Sequence, residues 1–355
     1  MASPRIAVLG AGANGASIGA DLTNAGLEVT LIEQWPDHVQ AMRTNGLLVK
    51  MPDASVRTNV RVLNFCDVAT LTEPFDVVLM LMKAYDSRWA AQLIEPHVAA
   101  DGLVVGVQNG MTLDTVAEVV GAHRTLGCVI EVSSTMYEPG IVERHSGPDR
   151  SWFAIGSVDP TAEGRHQQIA DLLRHAGTVE ITDDIRSAKW MKLVSNATTL
   201  VTTAALGLPM LEAVEHPGMR EFMIRSGQEA FDAAVASGHT IRPIFGLTEA
   251  EVAHPESLVE TLLNTLLAGF VLSHTTTTIL QDWNKGRHSE VDDINGHVVE
   301  TSRRLGLNAP VNAAVVEVAH RIETHSLKPN PGNFDLLEEL IASYPSTLEK
   351  RHDER

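Results

Sequence analysis

Three glycines at fixed spacing near the start of the chain could hold a phosphate-bearing ligand. Gly10 permits a tight turn, Gly12 lets a ligand approach the backbone, and Gly15 lets a helix pack closely on a sheet. A pyrophosphate in such a turn lies against free N–H groups at the positive end of the following helix. An apolar run precedes the glycines and a helical pattern follows them, which is the context that this motif requires. The residues predicted to bind a dinucleotide there are Gly10, Gly12, Asn14 and Gly15.

The acidic residue Glu33 follows the next apolar run, at residues 29–32, and bears on the choice of cofactor. A carboxylate at the end of the second strand of such a fold accepts hydrogen bonds from both ribose hydroxyls of NAD and repels a 2′-phosphate. Neither Gln34 nor Trp35 offers a cation in its place. The pattern therefore favours NAD(H) as the cofactor, with a solvated surface carboxylate as the alternative interpretation of Glu33.

A lysine and an asparagine in the second half of the chain could serve a carbonyl reduction. Lys192 and Asn196 are four residues apart in a helical pattern and so lie on one face of a helix. A lysine that is removed from water becomes a usable proton donor near neutral pH. The spacing alone equally fits two solvated polar residues on a helix surface.

Two further polar segments lie later in the chain. Glu290 falls in the first turn of a predicted helix, with Ser289 as its N-cap and Asp292 completing a capping box. Threonines at 275–278 fall inside another predicted helix, where they can line a polar pocket or bond back to their own backbone. No histidine or cysteine pattern of a metal site occurs in the sequence, so we predict no metal.

Two kinds of segment must position these residues. Short apolar runs alternate with helical patterns up to residue 183, which predicts an α/β doubly wound parallel sheet of the Rossmann type, with a small hairpin or an irregular strand pair over 47–62. Residues 1–183 are the predicted dinucleotide-binding domain and 184–355 an all-helical domain, with 345–355 frayed. Such a pair usually binds substrate in the cleft between the domains. The helical patterns of the second domain lie at 185–206, 218–237, 258–280, 290–305, 312–323 and 335–343.

The net charge and the apolar runs of the chain limit which classes of molecule it could bind. The formal net charge of −18 disfavours nucleic acid and anionic membranes, whereas one or two local cations suffice for a small anionic substrate. No apolar run is long enough to span a membrane, and the first one is too short for a signal peptide, so we predict a cytoplasmic protein. The long apolar helices after residue 258 could form a homodimer interface or a core.

Several motifs, in one order along the chain, resemble those of the ketopantoate reductase (2-dehydropantoate 2-reductase) family. Together they span most of the chain, and the resemblance implies a Rossmann domain and a helical domain with NADPH and a 2-oxo acid in the cleft between them. Beyond the glycine turn, the likeness lies in Lys83, Gln108-Asn109-Gly110-Met111, Trp190-x-Lys192-Leu193-x-x-Asn196, Glu290-Val291-Asp292-x-x-Asn295-Gly296 and Leu305-Gly306-Leu307-x-x-Pro310-Val311-Asn312.

The resemblance also implies roles for individual residues. Lys192 corresponds to the general acid that protonates the ketone oxygen, and Glu290 to a second catalytic residue that orients the substrate. Asn109 and Asn196 correspond to asparagines that position cofactor and substrate. Lys83 corresponds to a lysine near the cofactor.

The chain differs from the family pattern at three places. Glu33 and Gln34 stand where the family reads NADPH with a basic residue, so NADP(H) is implied by the resemblance and NAD(H) by Glu33. Thr278 replaces the substrate-binding serine and keeps its hydroxyl. Extra sequence lies around 239–263 and after residue 325, and insertions near a cleft can change which acid fits.

The predicted activity is hydride transfer between NAD(P)H and the carbonyl of a small branched 2-oxo acid, with Lys192 as general acid. The resemblance implies reduction of 2-dehydropantoate to pantoate, a step of pantothenate biosynthesis. One alternative is an NAD-preferring catabolic dehydrogenase of the same fold that oxidises another hydroxy acid. The other is a dinucleotide-binding sensor that has lost catalysis, and the presence of both Lys192 and Glu290 speaks against it.

Overall fold

The chain divides into two compact units, Met1–Lys189 and Trp190–Arg355. The computed structural model describes residues 3–162 and 164–344. The tail at 345–355, which the sequence predicts to fray, lies outside the described residues. Within the described part of the chain, no helix is both long enough and apolar enough to cross a membrane.

The first unit contains two sheets. Its strands are β1 Arg5–Leu9, β2 Glu28–Glu33, β3 Leu47–Lys50, β4 Ser55–Thr58, β5 Arg61–Asn64, β6 Phe75–Met80, β7 Val98–Gly106, β8 Thr125–Glu131, β9 Ser134–Thr135, β10 Ile141–Arg144, β11 Trp152–Ser157 and β12 Thr178–Ile181. The large sheet has the order β12-β11-β8-β7-β6-β1-β2-β5, in which only β8 and β11 pair antiparallel. The run β5-β2-β1-β6-β7-β8 is the strand order of a dinucleotide-binding fold. The predicted Rossmann-type sheet is therefore confirmed.

The central strands are buried on both faces because helices cover both sides of the sheet. In β1 and β6 successive residues are buried instead of alternating with exposed ones, as expected for parallel strands with apolar sequences. Gly19 of the first helix approaches the Leu31 side chain so closely that a Cβ there would lie 2.3 Å from it. The helices of this unit are α1 Ala13–Asn24, α2 Pro36–Asn45, α3 Ser87–Ile94, α4 Leu113–Val120 and α5 His166–Leu173.

The small sheet has the order β4-β3-β10-β9. It contains the predicted hairpin, since β3 and β4 pair antiparallel across the turn at Pro52 and Asp53. The hairpin is shorter than predicted, because β5 leaves it and pairs with β2 in the large sheet. The sequence did not reveal this exchange, since strand partners are chosen by tertiary packing.

The second unit is helical over its described residues. Its helices are α6 Ile185–Ala205, whose first turn belongs to the first unit, α7 Met210–Glu215, α8 Met219–Ala236, α9 Leu258–Gly269, α10 Thr278–Asn284, α11 His297–Leu305, α12 Pro310–Glu323 and α13 Asn333–Ala342. A π-helical segment, Asp292–Gly296, leads directly into α11. The prediction that a helical domain follows the sheet domain is thus confirmed.

Two local predictions in this unit were wrong. The continuous helix over 258–280 is broken between α9 and α10, because the Thr275 hydroxyl accepts from the Leu272 N–H and Thr277 caps α10 by accepting from the Leu280 N–H. Ser289 is not an N-cap, because its hydroxyl and its N–H both donate to Glu323.

Candidate functional site

The glycine turn of the first unit is shaped by close backbone contacts at two of its three glycines. Gly10 has a positive φ of 93°, and a Cβ on it would lie 2.8 Å from the backbone of Leu81. A Cβ on Gly15 would lie 2.0 Å from the carbonyl oxygen of Gly10. A Cβ on Gly12, by contrast, would meet nothing within 4 Å. Gly10 and Gly15 are therefore required by the fold, whereas Gly12 borders open space that a pyrophosphate can use.

The buried side chain of His38, which the sequence analysis did not identify, is hydrogen-bonded to the backbone of this turn. Nδ1 of His38 accepts from the Gly140 N–H at 2.8 Å, so the neutral ring carries its proton on Nε2, which lies 3.1 Å from the carbonyl oxygen of Ala11. Burial lowers the pKa of His38 to about 4, and the hydrogen bond to Ala11 opposes this shift. Asn14 is also held, because its side-chain oxygen accepts from the Ser134 hydroxyl.

The remaining predicted cofactor residues lie at the same sheet edge as the glycine turn. Glu33 is the last residue of β2, is buried, and accepts from the Trp35 N–H at 3.0 Å. Lys83 and Asn109 are half-buried and follow the carboxyl ends of β6 and β7. Since β2, β1, β6 and β7 are adjacent and parallel, their carboxyl ends meet at one edge, where ligands of such sheets bind.

Gln108 connects the turns that carry Lys83 and Asn109. Its side-chain amide donates to the Ser87 hydroxyl at 3.2 Å, and Ser87 donates to the carbonyl of Ala84 at 2.7 Å. Its backbone carbonyl accepts from the buried ammonium of Lys189, in the first turn of α6. The sequence motif included Gln108 without a role, and Lys189 gave no signal because its partner lies far away in sequence.

Three of the four predicted catalytic and substrate residues of the second unit are buried. Lys192 and Asn196 lie on α6 with 8% and 2% of their surface exposed, and Glu290 is 3% exposed, just before the first turn of its helix. Thr278 is half-buried and is the first residue of α10. Charged side chains are almost never this buried unless they are paired or functional. The solvated-helix alternative for Lys192 and Asn196 does not agree with their burial.

Three segments of the second unit contact one stretch of α6. The phenyl ring of Phe245 faces Lys192, with the ring centroid 4.9 Å from Nζ. The Asn295 amide, which belongs to the Glu290 motif, donates to the carbonyl of Ala197 at 3.3 Å. The hydroxyl of Thr277 donates to the carbonyl of Leu200 at 2.9 Å. The structure therefore brings the segments that carry Glu290 and Thr278 against the helix that carries Lys192 and Asn196.

A buried amide network fixes the π-helical segment that follows Glu290. The Asn295 amide donates to the side-chain oxygen of Asn312 at 2.8 Å, and the Asn312 amide donates to Glu229 at 2.8 Å. Both asparagines are fully buried. π-Helical turns of this kind occur frequently at functional sites. The resemblance contained both asparagines but assigned neither a role, and only the three-dimensional contacts supply one.

The charges near Glu290 are mainly negative. Burial raises the pKa of Asp293 to about 6, the charges of Glu290 and Asp292 add to the shift, and His288 opposes it. Among the residues that the structure describes, no group of three histidine, cysteine or carboxylate side chains could hold a metal ion.

Comparison with known proteins gives matches to both halves of the chain. The family model for ketopantoate reductase PanE/ApbA matches residues 6–159, and the model for its C-terminal domain matches residues 184–323. A 2-dehydropantoate 2-reductase of Archaeoglobus fulgidus is 24% identical over 339 residues, which cover 91% of this chain and 99% of the relative. One from Halobacterium salinarum is 28% identical over 311 residues, covering 86% and 95%.

Solved structures agree with this fold. A PanE/ApbA family ketopantoate reductase from Ralstonia eutropha superposes with a TM-score of 0.75 at 26% identity, covering 90% of this chain and 99% of that chain. A D-mandelate dehydrogenase bound to NADH and anilino(oxo)acetate has a TM-score of 0.80 at 20% identity, with the same coverage, which shows the fold alone. Because the two family models together match most of the sequence, the chain belongs to the ketopantoate reductase PanE/ApbA family of NAD(P)H-dependent oxidoreductases.

Proposed function

We propose that this protein transfers hydride between NAD(H) and a small branched 2-oxo or 2-hydroxy acid, with Lys192 as the general acid of the reduction. The proposal depends mainly on the burial of two ionisable side chains, Lys192 on α6 and Glu290 on a segment that contacts α6 near Ala197. Two buried ionisable groups of opposite charge are costly to a fold, so they are a candidate catalytic pair.

The residues at the sheet edge fit a nicotinamide dinucleotide, which supplies the hydride when it is bound. The space at Gly12, which a Cβ would enter, is the cradle for the pyrophosphate. Glu33 would accept from the ribose hydroxyls and so favours NAD(H) over NADP(H). Lys83 and Asn109, at neighbouring strand ends, would hold the nicotinamide half of the cofactor.

The side chains of the second unit would act on the acid. Lys192 Nζ–H would donate to the ketone oxygen and transfer its proton as the carbonyl carbon gains hydride. In the oxidation direction the neutral amine of Lys192 would accept the hydroxyl proton. Glu290 would orient the substrate, and Asn196 and Thr278 would donate hydrogen bonds that hold it in place.

The first substrate to test is 2-dehydropantoate, because the curated relatives are named 2-dehydropantoate 2-reductase. A second candidate function is an NAD-preferring dehydrogenase that oxidises another 2-hydroxy acid. Glu33 favours this candidate, because an acid at the end of β2 repels the 2′-phosphate of NADPH.

The test is a panel of 2-oxo acids with NADH or NADPH, and of 2-hydroxy acids with the oxidised cofactors, followed by nicotinamide absorbance. We expect turnover of at least one branched 2-oxo acid, and a preference of about tenfold or more for NADH over NADPH. Turnover of a different acid alone would replace 2-dehydropantoate as substrate and leave the mechanism intact. Tight NADH binding with no turnover of any acid would contradict the proposal and favour the sensor.

A further inference from the structure

The segment between α8 and α9 carries a phenylalanine whose conformation is unusual. This stretch has no helix longer than the single turn Pro255–Ser257 among its described residues, and it overlaps the extra sequence around 239–263. It is nevertheless anchored, because Ile244, Phe245 and Val252 are all buried. The segment is therefore packed into the second unit and is not a loose loop.

Phe245 lies in a tight turn in which a phenylalanine is disfavoured. Phe245 and Gly246 both have positive φ, 63° and 78°, and the Leu247 N–H donates to the Ile244 carbonyl at 3.2 Å. Two consecutive left-handed residues at the centre of such a turn are typical of type I′, which strongly prefers asparagine, aspartate or glycine. A bulky residue in that conformation is an outlier that persists only where its surroundings hold it.

The surroundings of Phe245 hold its ring against Lys192. The ring is 7% exposed, and its centroid lies 5.6 Å from that of Phe270. Its face meets the Lys192 ammonium at 4.9 Å, within the range of a cation–π interaction. A ring in this position excludes water from one side of the ammonium and restricts where Nζ can lie.

We propose that Phe245 is a positioning residue for Lys192: the electron-rich face of its ring fixes where the ammonium lies and so aims its donors at the substrate oxygen. This inference rests on the proposed role of Lys192 as general acid. Correct placement of a reacting group contributes strongly to rate, because small displacements are costly in catalysis. The disfavoured conformation of the turn is then retained because it places the ring of Phe245 against Lys192.

The test replaces Phe245 with leucine and, separately, with mono-, di- and trifluorinated phenylalanine. Leucine keeps the positive-φ strain and most of the bulk, whereas fluorination keeps the shape and withdraws electron density from the ring face. We expect kcat with the best 2-oxo acid to fall about tenfold for Phe245→Leu and stepwise through the fluorinated series, with KM for NADH unchanged.

Phe222 is the matched control. It is a fully buried phenylalanine of the same unit, and the guanidinium of Arg225 lies 5.5 Å from its ring centroid. The same substitutions at Phe222 should lower the melting temperature without a trend in kcat. A flat kcat through the fluorinated series at 245, in a protein whose wild type turns over, would overturn this inference and leave the proposed function intact. Failure of the wild type on every acid would instead refute the proposed function.

Discussion

The two units contribute different kinds of group to the proposed function: mainly backbone in the first unit and side chains in the second. In the first unit the cofactor side is mainly backbone: a glycine turn and the ends of four adjacent parallel strands, all set by the sheet. In the second unit the proposed chemistry depends on two side chains, Lys192 and Glu290, that are distant in sequence. Lys192 lies on α6, and the segment that carries Glu290 packs on the same helix through Asn295. Changes in the first unit should therefore affect cofactor binding, and changes in the second should affect turnover.

The largest effect should come from Lys192. Lys192→Ala removes the proposed proton donor, so kcat for reduction should fall about a thousandfold, a typical contribution of general acid catalysis. Steady-state NADH oxidation measures this. Lys328→Ala, an exposed lysine of the same unit, is the control and should keep full activity. Retention of most of the activity in Lys192→Ala would exclude the assigned role.

The next effect concerns Gly12. Gly12→Ala should fold normally, because its Cβ meets nothing in the protein, but should weaken NADH binding about 10- to 100-fold by filling the phosphate cradle. Gly269→Ala, which also places a Cβ in open space, is the matched control and should bind NADH normally. Fluorescence titration with NADH measures both. Wild-type affinity in Gly12→Ala would mean that the pyrophosphate lies elsewhere.

The same contrast explains how far the sequence could predict the structure. The strand, glycine turn, helix and Glu33 are contiguous, so local patterns were enough to predict them. The break after α9 was missed because the apolar pattern continues through Phe270 and Val271, while the turn depends on Thr275, whose carbonyl accepts from the Met210 N–H of another helix. The contact of Phe245 with Lys192 likewise has no local signal, since it joins a turn to a distant helix.

A third prediction concerns pH and belongs to the first unit. The folded pKa of His38, about 4, lies below its ordinary value of 6.5, so the unfolded chain binds a proton first on acidification. Stability is therefore lost as pH falls from about 6.5 toward 4, by about 2 kcal/mol between pH 7 and pH 5. Urea unfolding at the two pH values measures this. His38→Asn, which cannot titrate, should show a smaller loss, and an equal loss would assign the pH dependence to other groups.

The smallest predicted effect is on cofactor choice. Glu33→Ala should reduce the preference for NADH over NADPH about tenfold, because it removes hydrogen bonds to the ribose and the repulsion of a 2′-phosphate. The ratio of kcat/KM for the two cofactors measures it. Glu28→Ala, at the exposed opposite end of β2, is the control. An unchanged ratio in Glu33→Ala would show that this carboxylate does not contact the ribose.

The central claim is that the first unit binds the cofactor and the second supplies the groups for turnover. It is tested most directly by comparing the NADH affinity of Lys192→Ala with that of Gly12→Ala. Lys192→Ala should bind NADH within about twofold of wild type although its turnover is lost, because uniform binding and transition-state interactions are separable. Gly12→Ala should instead bind NADH about 10- to 100-fold more weakly than wild type. A loss of NADH affinity in Lys192→Ala as large as that in Gly12→Ala would contradict the account, since Lys192 would then be part of the cofactor site.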